Sequence, residues 1–254
     1  LDLSVSGDTV LLALLTIAYD GRELPALFAS CDGGHSWKGP SVIKGMPLEW
    51  PNGHAQSSYC LRPDGARLVF MNTTHPNNRA HPCVFLLEGF VSHYILLSNL
   101  PQHSEMERVF PSPAMLTDGR VVVAVTERMS ESPGHTLVYG SGDGGRTWEY
   151  FCRANDIGTP AHLLALGDGR LLLTYGFPLP PYRLVARLSD DGGCTWSGEM
   201  VLREGGGSPD LGSVRSVERY DGAIVSLYQW NDAGDDVAFR GGRRYLAALV
   251  WSIR

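Results

Sequence analysis

The sequence predicts an all-β chain built from repeated four-stranded antiparallel units, and three observations carry that prediction. One octapeptide pattern occurs three times, as Ser30–Trp37, Ser141–Trp148 and Ser189–Trp196. Short runs rich in β-branched and aliphatic residues, such as Val121–Val125 and Leu171–Tyr175, follow Asp-Gly pairs, as strands joined by hairpins do. Glycine (30 residues) and proline (16 residues) are plentiful among the 254 positions yet form no low-complexity tract, which suits many short elements joined by tight turns.

The octapeptide reads Ser-x-Asp-Gly-Gly-x-(Ser/Thr)-Trp, and its copies start 111 and 48 residues apart. That spacing fits a unit of about 50 residues, and β-rich units of this period signal a β-propeller. Five units follow, at about 1–50, 51–106, 107–154, 155–204 and 205–254, together a single domain over residues 1–254. The first holds the apolar run Val10–Ala18 and the first box. The second holds a degenerate copy near Gly89–Leu97. The third runs from Asp118-Gly119 through Val121–Val125 and Thr136–Gly140 into the second box, and the fourth repeats it with Asp168-Gly169, Leu171–Tyr175 and Leu184–Leu188. The fifth ends on Tyr245–Ile253, which reads as its third strand, so the outermost strand comes from elsewhere. Leu1 starts inside a unit, which reads as a shortened N-terminus with an altered closure of the ring.

Composition narrows the function. Twenty-one Lys and Arg against 27 Asp and Glu leave a net charge of −6, which gives no reason to expect nucleic acid or an anionic membrane as partner. The longest apolar run is far short of the roughly 20 residues of a helical span. The five cysteines follow no metal-type spacing, so they read as reduced thiols. No cofactor or metal is implied, although the Asp-rich stretch Asp232–Asp236 offers oxygens of the kind calcium takes.

Within the octapeptide an Asp carboxylate can accept backbone N–H bonds of a tight turn, Gly supplies positive φ, and the Ser/Thr hydroxyl ties the far side. Three equivalent copies cannot share one active site, so Asp32, Asp143 and Asp191 read as structural. Chemistry is expected at the opposite end of each unit, in the loops between second and third strands and between units. Candidates for proton transfer there are Glu127, at a strand end where burial would raise its pKa, Asp210, just before the last inner strand, and His162. Candidates for binding are Arg128, Arg215, Trp230, Asn231, Asp232, Trp50, His54 and Tyr182. Guanidinium forks suit carboxylates and hydroxyls, and aromatic faces suit sugar rings.

The three boxes resemble the Asp-box (BNR) repeats of the sialidase superfamily. Gly169–Trp196 and Asp210–Trp251 are similar to the corresponding parts of bacterial sialidase-like exo-glycosidases, and the likeness spans Val109–Trp251. The resemblance implies a propeller, usually of six blades, with a carbohydrate site on its axis. It also implies a tyrosine nucleophile supported by a glutamate, an acid aspartate, and three arginines that grip a sugar carboxylate. Relatives read Asp-Leu-Gly-Tyr-Pro-Arg-Ser where this chain reads Asp210-Leu211-Gly212-Ser213-Val214-Arg215-Ser216, so Ser213 stands at the nucleophile position. No arginine falls at Phe110–Ala114, and Phe177-Pro178 stands where relatives carry Tyr-Arg. Glu127 and Arg215 keep their match. Two readings stay open: a sialidase-like glycoside hydrolase with relocated acid/base groups, and a glycan-binding or protein-binding propeller without turnover.

Overall fold

The computed structural model describes residues 2–6, 10–19, 21–44, 53–74, 80–88, 91–96, 106–129, 133–158, 160–233 and 243–253. All the regular elements among them are strands, arranged in five small antiparallel sheets of the size of propeller blades. The first sheet is β1 (Asp2–Ser6), β2 (Val10–Tyr19), β3 (Arg22–Ser30) and β4 (Lys38–Val42). The second is β5 (Gly53–Leu61), β6 (Arg67–Thr74), β7 (Ala80–Glu88) and β8 (Val91–Leu96). The third is β9 (Met106–Met115), β10 (Val121–Met129), β11 (His135–Ser141) and β12 (Glu149–Arg153). The fourth is β13 (Ala161–Ala165), β14 (Leu171–Phe177), β15 (Tyr182–Ser189) and β16 (Met200–Gly206). The fifth has three strands, β17 (Gly212–Glu218), β18 (Ile224–Trp230) and β19 (Tyr245–Trp251). Each sheet runs in chain order from first strand to last.

The first hairpins of the second to fifth sheets share one turn. Asp64, Asp118, Asp168 and Asp221 each accept the backbone N–H two residues on, at 3.1, 3.0, 3.0 and 3.2 Å. The following glycines, Gly65, Gly119, Gly169 and Gly222, adopt φ of 84, 86, 91 and 79°, the left-handed region that costs glycine little.

The octapeptides form a second repeated turn between third and fourth strands. In the copy at 141–148, Asp143 Oδ1 accepts from the Ser141 hydroxyl (2.8 Å), the Arg146 N–H (3.0 Å) and the Thr147 N–H (2.9 Å), and Oδ2 accepts from the Thr147 hydroxyl (2.6 Å). Ser141 Oγ in turn accepts the Gly145 N–H, and the Trp148 indole donates to the Gly145 carbonyl. The copy at 189–196 repeats every one of these bonds. The copy at 30–37 keeps the Ser30, Ser36 and Trp37 contacts. The second sheet departs from the expected degenerate copy. There β7 and β8 pair Glu88 with Val91, so two residues stand where the first, third and fourth sheets place a box, and Gly89–Leu97 supplies mostly strand.

Two compact units emerge, Leu1–Val121 with Ser141–Glu149, and Val122–Gly140 with Tyr150–Arg254. In the first, Leu24, Ile43, Val69, Met71, Cys83 and Phe85 form a core cluster. The box at 141–148 packs on the second sheet: Trp148 meets Phe70 edge-on at 5.6 Å and Arg62 donates to the Gly144 carbonyl. In the second unit the box at 189–196 lies on the third sheet in the same way, with Gly193 against Val122 and Val138. One face of the fifth sheet joins a core cluster through Tyr228 and Trp230, while the other exposes Leu246 at 85%.

Gly145 combines φ of +93° with a site where a Cβ would lie 2.6 Å from Leu68 Cδ2, whereas Gly142 has open space. Gly145→Ala is therefore expected to lower the unfolding free energy by about 1–3 kcal/mol and Gly142→Ala to change it by less than about 0.5 kcal/mol, measured by urea denaturation. The box carboxylates give an acid signature. Partial burial would raise Asp143 and Asp191, but the bonds from Thr147 and Thr195 and from Ser141 and Ser189 hold both at about 2. A depressed folded-state pKa stabilises above the ordinary value of 3.8 and is lost as pH falls through the folded value. Asp191→Asn should lower the unfolding midpoint at pH 7 and flatten its fall between pH of about 4 and 2.

Candidate functional site

The end of each sheet opposite its box is formed by the second-to-third-strand connection and the start of the first strand. In the second compact unit these are the ends of β10, β14 and β18 and the starts of β11, β13, β15 and β17. The apolar run Val121–Val125 is buried throughout and ends in Glu127 and Arg128, both half-buried. Across the hairpin, His135 Nε2 lies 3.2 Å from Glu127 Oε1, with the side chains 17% and 15% exposed. This carboxylate–imidazole pair is sheltered yet reachable, which is the setting in which a proton can be held and exchanged. His135 is not among the residues that the sequence singles out. It opens the strand that neighbours β10, at the end where β10 stops.

Beside His135 the backbone is fixed by a buried amide. Asn155 Oδ1 accepts the Thr136 N–H at 2.7 Å, and its Nδ2 donates to Thr136 Oγ1 and to the Gly158 carbonyl, both at 3.2 Å. Gly158 (φ +137°) lies under Tyr175, where a Cβ would be 2.2 Å from the ring. Tyr175 is fully buried, donates to Glu199 at 2.9 Å and accepts from Arg187 at 3.1 Å. Burial raises its phenol well above the ordinary range, so this tyrosine is a structural group. Phe177 ends the same strand, with the Arg183 guanidinium 4.2 Å above its ring.

The fourth and fifth sheets meet closely at Gly176, where a Cβ would lie 2.7 Å from the Leu211 carbonyl. The next residues carry a bulge in β17 between Gly212 and Arg215, and Ser213 sits there at φ 44° with its side chain exposed. A non-glycine residue in this region is strained, and such strain gathers at functional positions. Arg215 is exposed, with one guanidinium nitrogen 3.0 Å from the Val214 carbonyl. Asp210 is exposed and paired with Arg244 at 2.6 Å.

Several expected site residues do other work. His162 Nδ1 accepts the Ser216 N–H at 3.2 Å, tying the fourth sheet to the fifth. Burial pushes its pKa down to about 3, and the charge on Arg215 pushes the same way. The imidazole is thus neutral at ordinary pH and its acceptor nitrogen is occupied, which suits neither a general acid nor a general base. Trp230 is 0% exposed and lies edge-on to Tyr228 in the core, under the Arg203 guanidinium at 4.4 Å, so it offers no stacking face. Asn231 is equally buried. It donates to Ser208 at 2.5 Å and accepts the Gly207 N–H at 3.3 Å. In both cases the β18 end turns into the core where the sequence reading expected a surface loop.

Asp232 is exposed and receives Arg203 at 3.2 Å and the Tyr245 hydroxyl at 3.0 Å. The rest of the Asp232–Asp236 stretch after Ala233 lies outside the described residues, as does Trp50. Tyr182 is half-buried and packs on the cluster of Leu184, Leu211, Val214, Tyr228 and Trp230. His54 lies in β5 opposite Asn72; its side chain is outside the described part. Among the described residues no group of three or more His, Cys, Asp or Glu side chains is arranged to hold a metal ion.

Because the His162 pKa is depressed from 6.5 to about 3, the folded state stays neutral where the unfolded chain takes a proton. Stability is full above pH of about 6.5 and falls as pH drops toward 3. Ring-proton NMR should show His162 flat between pH 8 and 4 while exposed histidines titrate. His162→Gln should cost stability at pH 7 and reduce the slope below pH 6.5.

No protein-family model matches the sequence, and no curated protein matches it either. Solved structures do match. A Dyadobacter fermentans protein of unknown function is 21% identical with a TM-score of 0.75, covering 99% of this chain and 75% of its own. A Hadza microbial sialidase is 16% identical with a TM-score of 0.68, covering 89% of this chain and 52% of its own. A mutant of the Fusarium graminearum α-L-arabinofuranosidase, solved with an iminosugar inhibitor, is 15% identical with a TM-score of 0.67, covering 100% of this chain and 79% of its own. At these identities the likeness concerns the fold, and this chain has the sheet architecture of sialidases and arabinan-degrading glycosidases.

Proposed function

We propose that this chain is a carbohydrate-active protein, a glycoside hydrolase whose proton-transfer group is Glu127, set by His135. The Glu127–His135 pair, sheltered at the sheet end away from the boxes, is the observation that supports this reading most. A neutral or charged imidazole against the carboxylate fixes its orientation and provides a local proton reservoir. Asp210, exposed and paired with Arg244, is taken as the second carboxylate, reaching a substrate by exchanging that partner. Two carboxyl groups flanking a glycosidic bond are the usual requirement for its hydrolysis. Ser213, in place of a tyrosine, argues against an ordinary sialoside as substrate, because a serine hydroxyl needs a dedicated base to act as nucleophile. Structural neighbours solved with arabinobiose make neutral furanosides the first substrates to try. Arg128, Arg215, Asp232 and Tyr182, all in the second compact unit, remain the proposed binding groups.

A second reading, glycan binding without turnover, is favoured by His162, which is spent on a backbone N–H. The deciding experiment is release of aglycone from aryl glycosides that include an α-L-arabinofuranoside, a sialoside, a uronide and neutral hexosides. Turnover reduced about 10²–10⁴-fold by Glu127→Gln, with binding retained, is the expected result. Absence of turnover with saturable binding on a glycan array would establish the binding reading instead.

A further inference from the structure

The third box carries a feature that neither the other boxes nor the proposed sugar site needs. Cys152, half-buried on β12, donates its thiol to the Gly193 carbonyl at 3.3 Å. That carbonyl belongs to the peptide bond that leads directly into Cys194, the exposed sixth residue of the box. The Trp196 indole donates to the same oxygen at 3.2 Å, so the Cys152 sulfur is held against the box turn. The direction of the sixth side chain is seen in the preceding copy, where Arg146 runs to the second sheet and pairs with Glu88. The same direction from the third box leads to the outer strands of the third sheet, where Cys152 sits. Burial and, to a lesser extent, the charge of Cys194 push the Cys152 thiol up.

We infer that Cys152 and Cys194 form a redox-active dithiol that is oxidised to a disulfide joining β12 to the third box. A low-molecular-weight disulfide such as oxidised glutathione is the oxidant. The exposed Cys194 thiolate attacks one glutathione sulfur, the glutathione S–S bond breaks, and one glutathione leaves as thiol. The Cys152 thiolate then attacks the Cys194 sulfur of the mixed disulfide and expels the second glutathione, so the two protein thiol protons end on two glutathione molecules. Burial raises the Cys152 thiol, which makes the second step the slower one. The bond would tie the fourth sheet's box to the third sheet covalently, across a contact that Gly193 already makes with Val122 and Val138.

The test is incubation of the full chain with oxidised glutathione, acid quench, alkylation and peptide mapping. The expected result is a Cys152–Cys194 cross-linked peptide pair, with Cys60 and Cys83 still alkylated after denaturation. Two further expectations are an unfolding midpoint that rises on oxidation and is restored by dithiothreitol, and a glutathione adduct that persists on Cys194 in Cys152→Ser. Cys194→Ser, at an exposed position, should fold normally and lose both the cross-link and the redox-dependent midpoint. A stable adduct on Cys194 of the unaltered chain with Cys152 fully alkylated would overturn the inference, as would a midpoint shift that survives in Cys194→Ser.

Discussion

The carboxylate at the third position of each octapeptide is the constraint on which the other features rest. Asp143 and Asp191 each gather four hydrogen bonds from groups no more than four residues away. A charged acceptor satisfied this fully holds its turn as a rigid body even though it lies at the surface. Rigidity there matters because the turn is also a packing element. Its second glycine presses on an aliphatic side chain of the preceding sheet, Leu68 in one case and Val122 in the other, and Trp148 packs edge-on to Phe70 of that sheet. The box at 189–196 thus fastens the outer half of the fourth sheet to the third.

Fastening at one end leaves the other end available for side chains of different character. There polar residues stand where the apolar β10 and β14 runs stop. Between the fourth and fifth sheets the cluster of Leu184, Leu211 and Val214 is joined by Gly176 against the Leu211 carbonyl and by His162 on the Ser216 N–H. A β-strand needs its partner's N–H and C=O groups, and a group taken up in this way is lost to chemistry. That trade separates His162, which holds sheets together, from Glu127 and His135, which face each other across one hairpin.

The arginines show the same division. Arg187 and Arg203 are committed to neighbouring tyrosines, a glutamate and an aspartate, and their burial serves packing as much as charge. Arg215 bonds only to the adjoining Val214 carbonyl among the contacts of its guanidinium described above, so its charge acts outward as well as on His162. A glycan site assembled at this end would draw on the outward-facing groups.

By itself the sequence determined the features that rest on short-range bonds: the Asp-Gly hairpins, the three boxes, the all-β class and the order of strands within each sheet. Every bond in a box spans four residues or fewer, so its residues can be read side by side. Even here the second sheet escaped, because a two-residue hairpin at Glu88 and Val91 leaves no pattern like the others. The tertiary structure alone decided which polar and aromatic residues face solvent. Trp230 and Asn231 looked like loop residues of a binding surface and are core, since the end of β18 folds under Arg203 and Ser208. His135 is unremarkable in the sequence and stands against Glu127, since the two lie on neighbouring strands of one sheet. Accessibility and cross-sheet pairing depend on how sheets stack, and that information is spread over residues far apart in the chain.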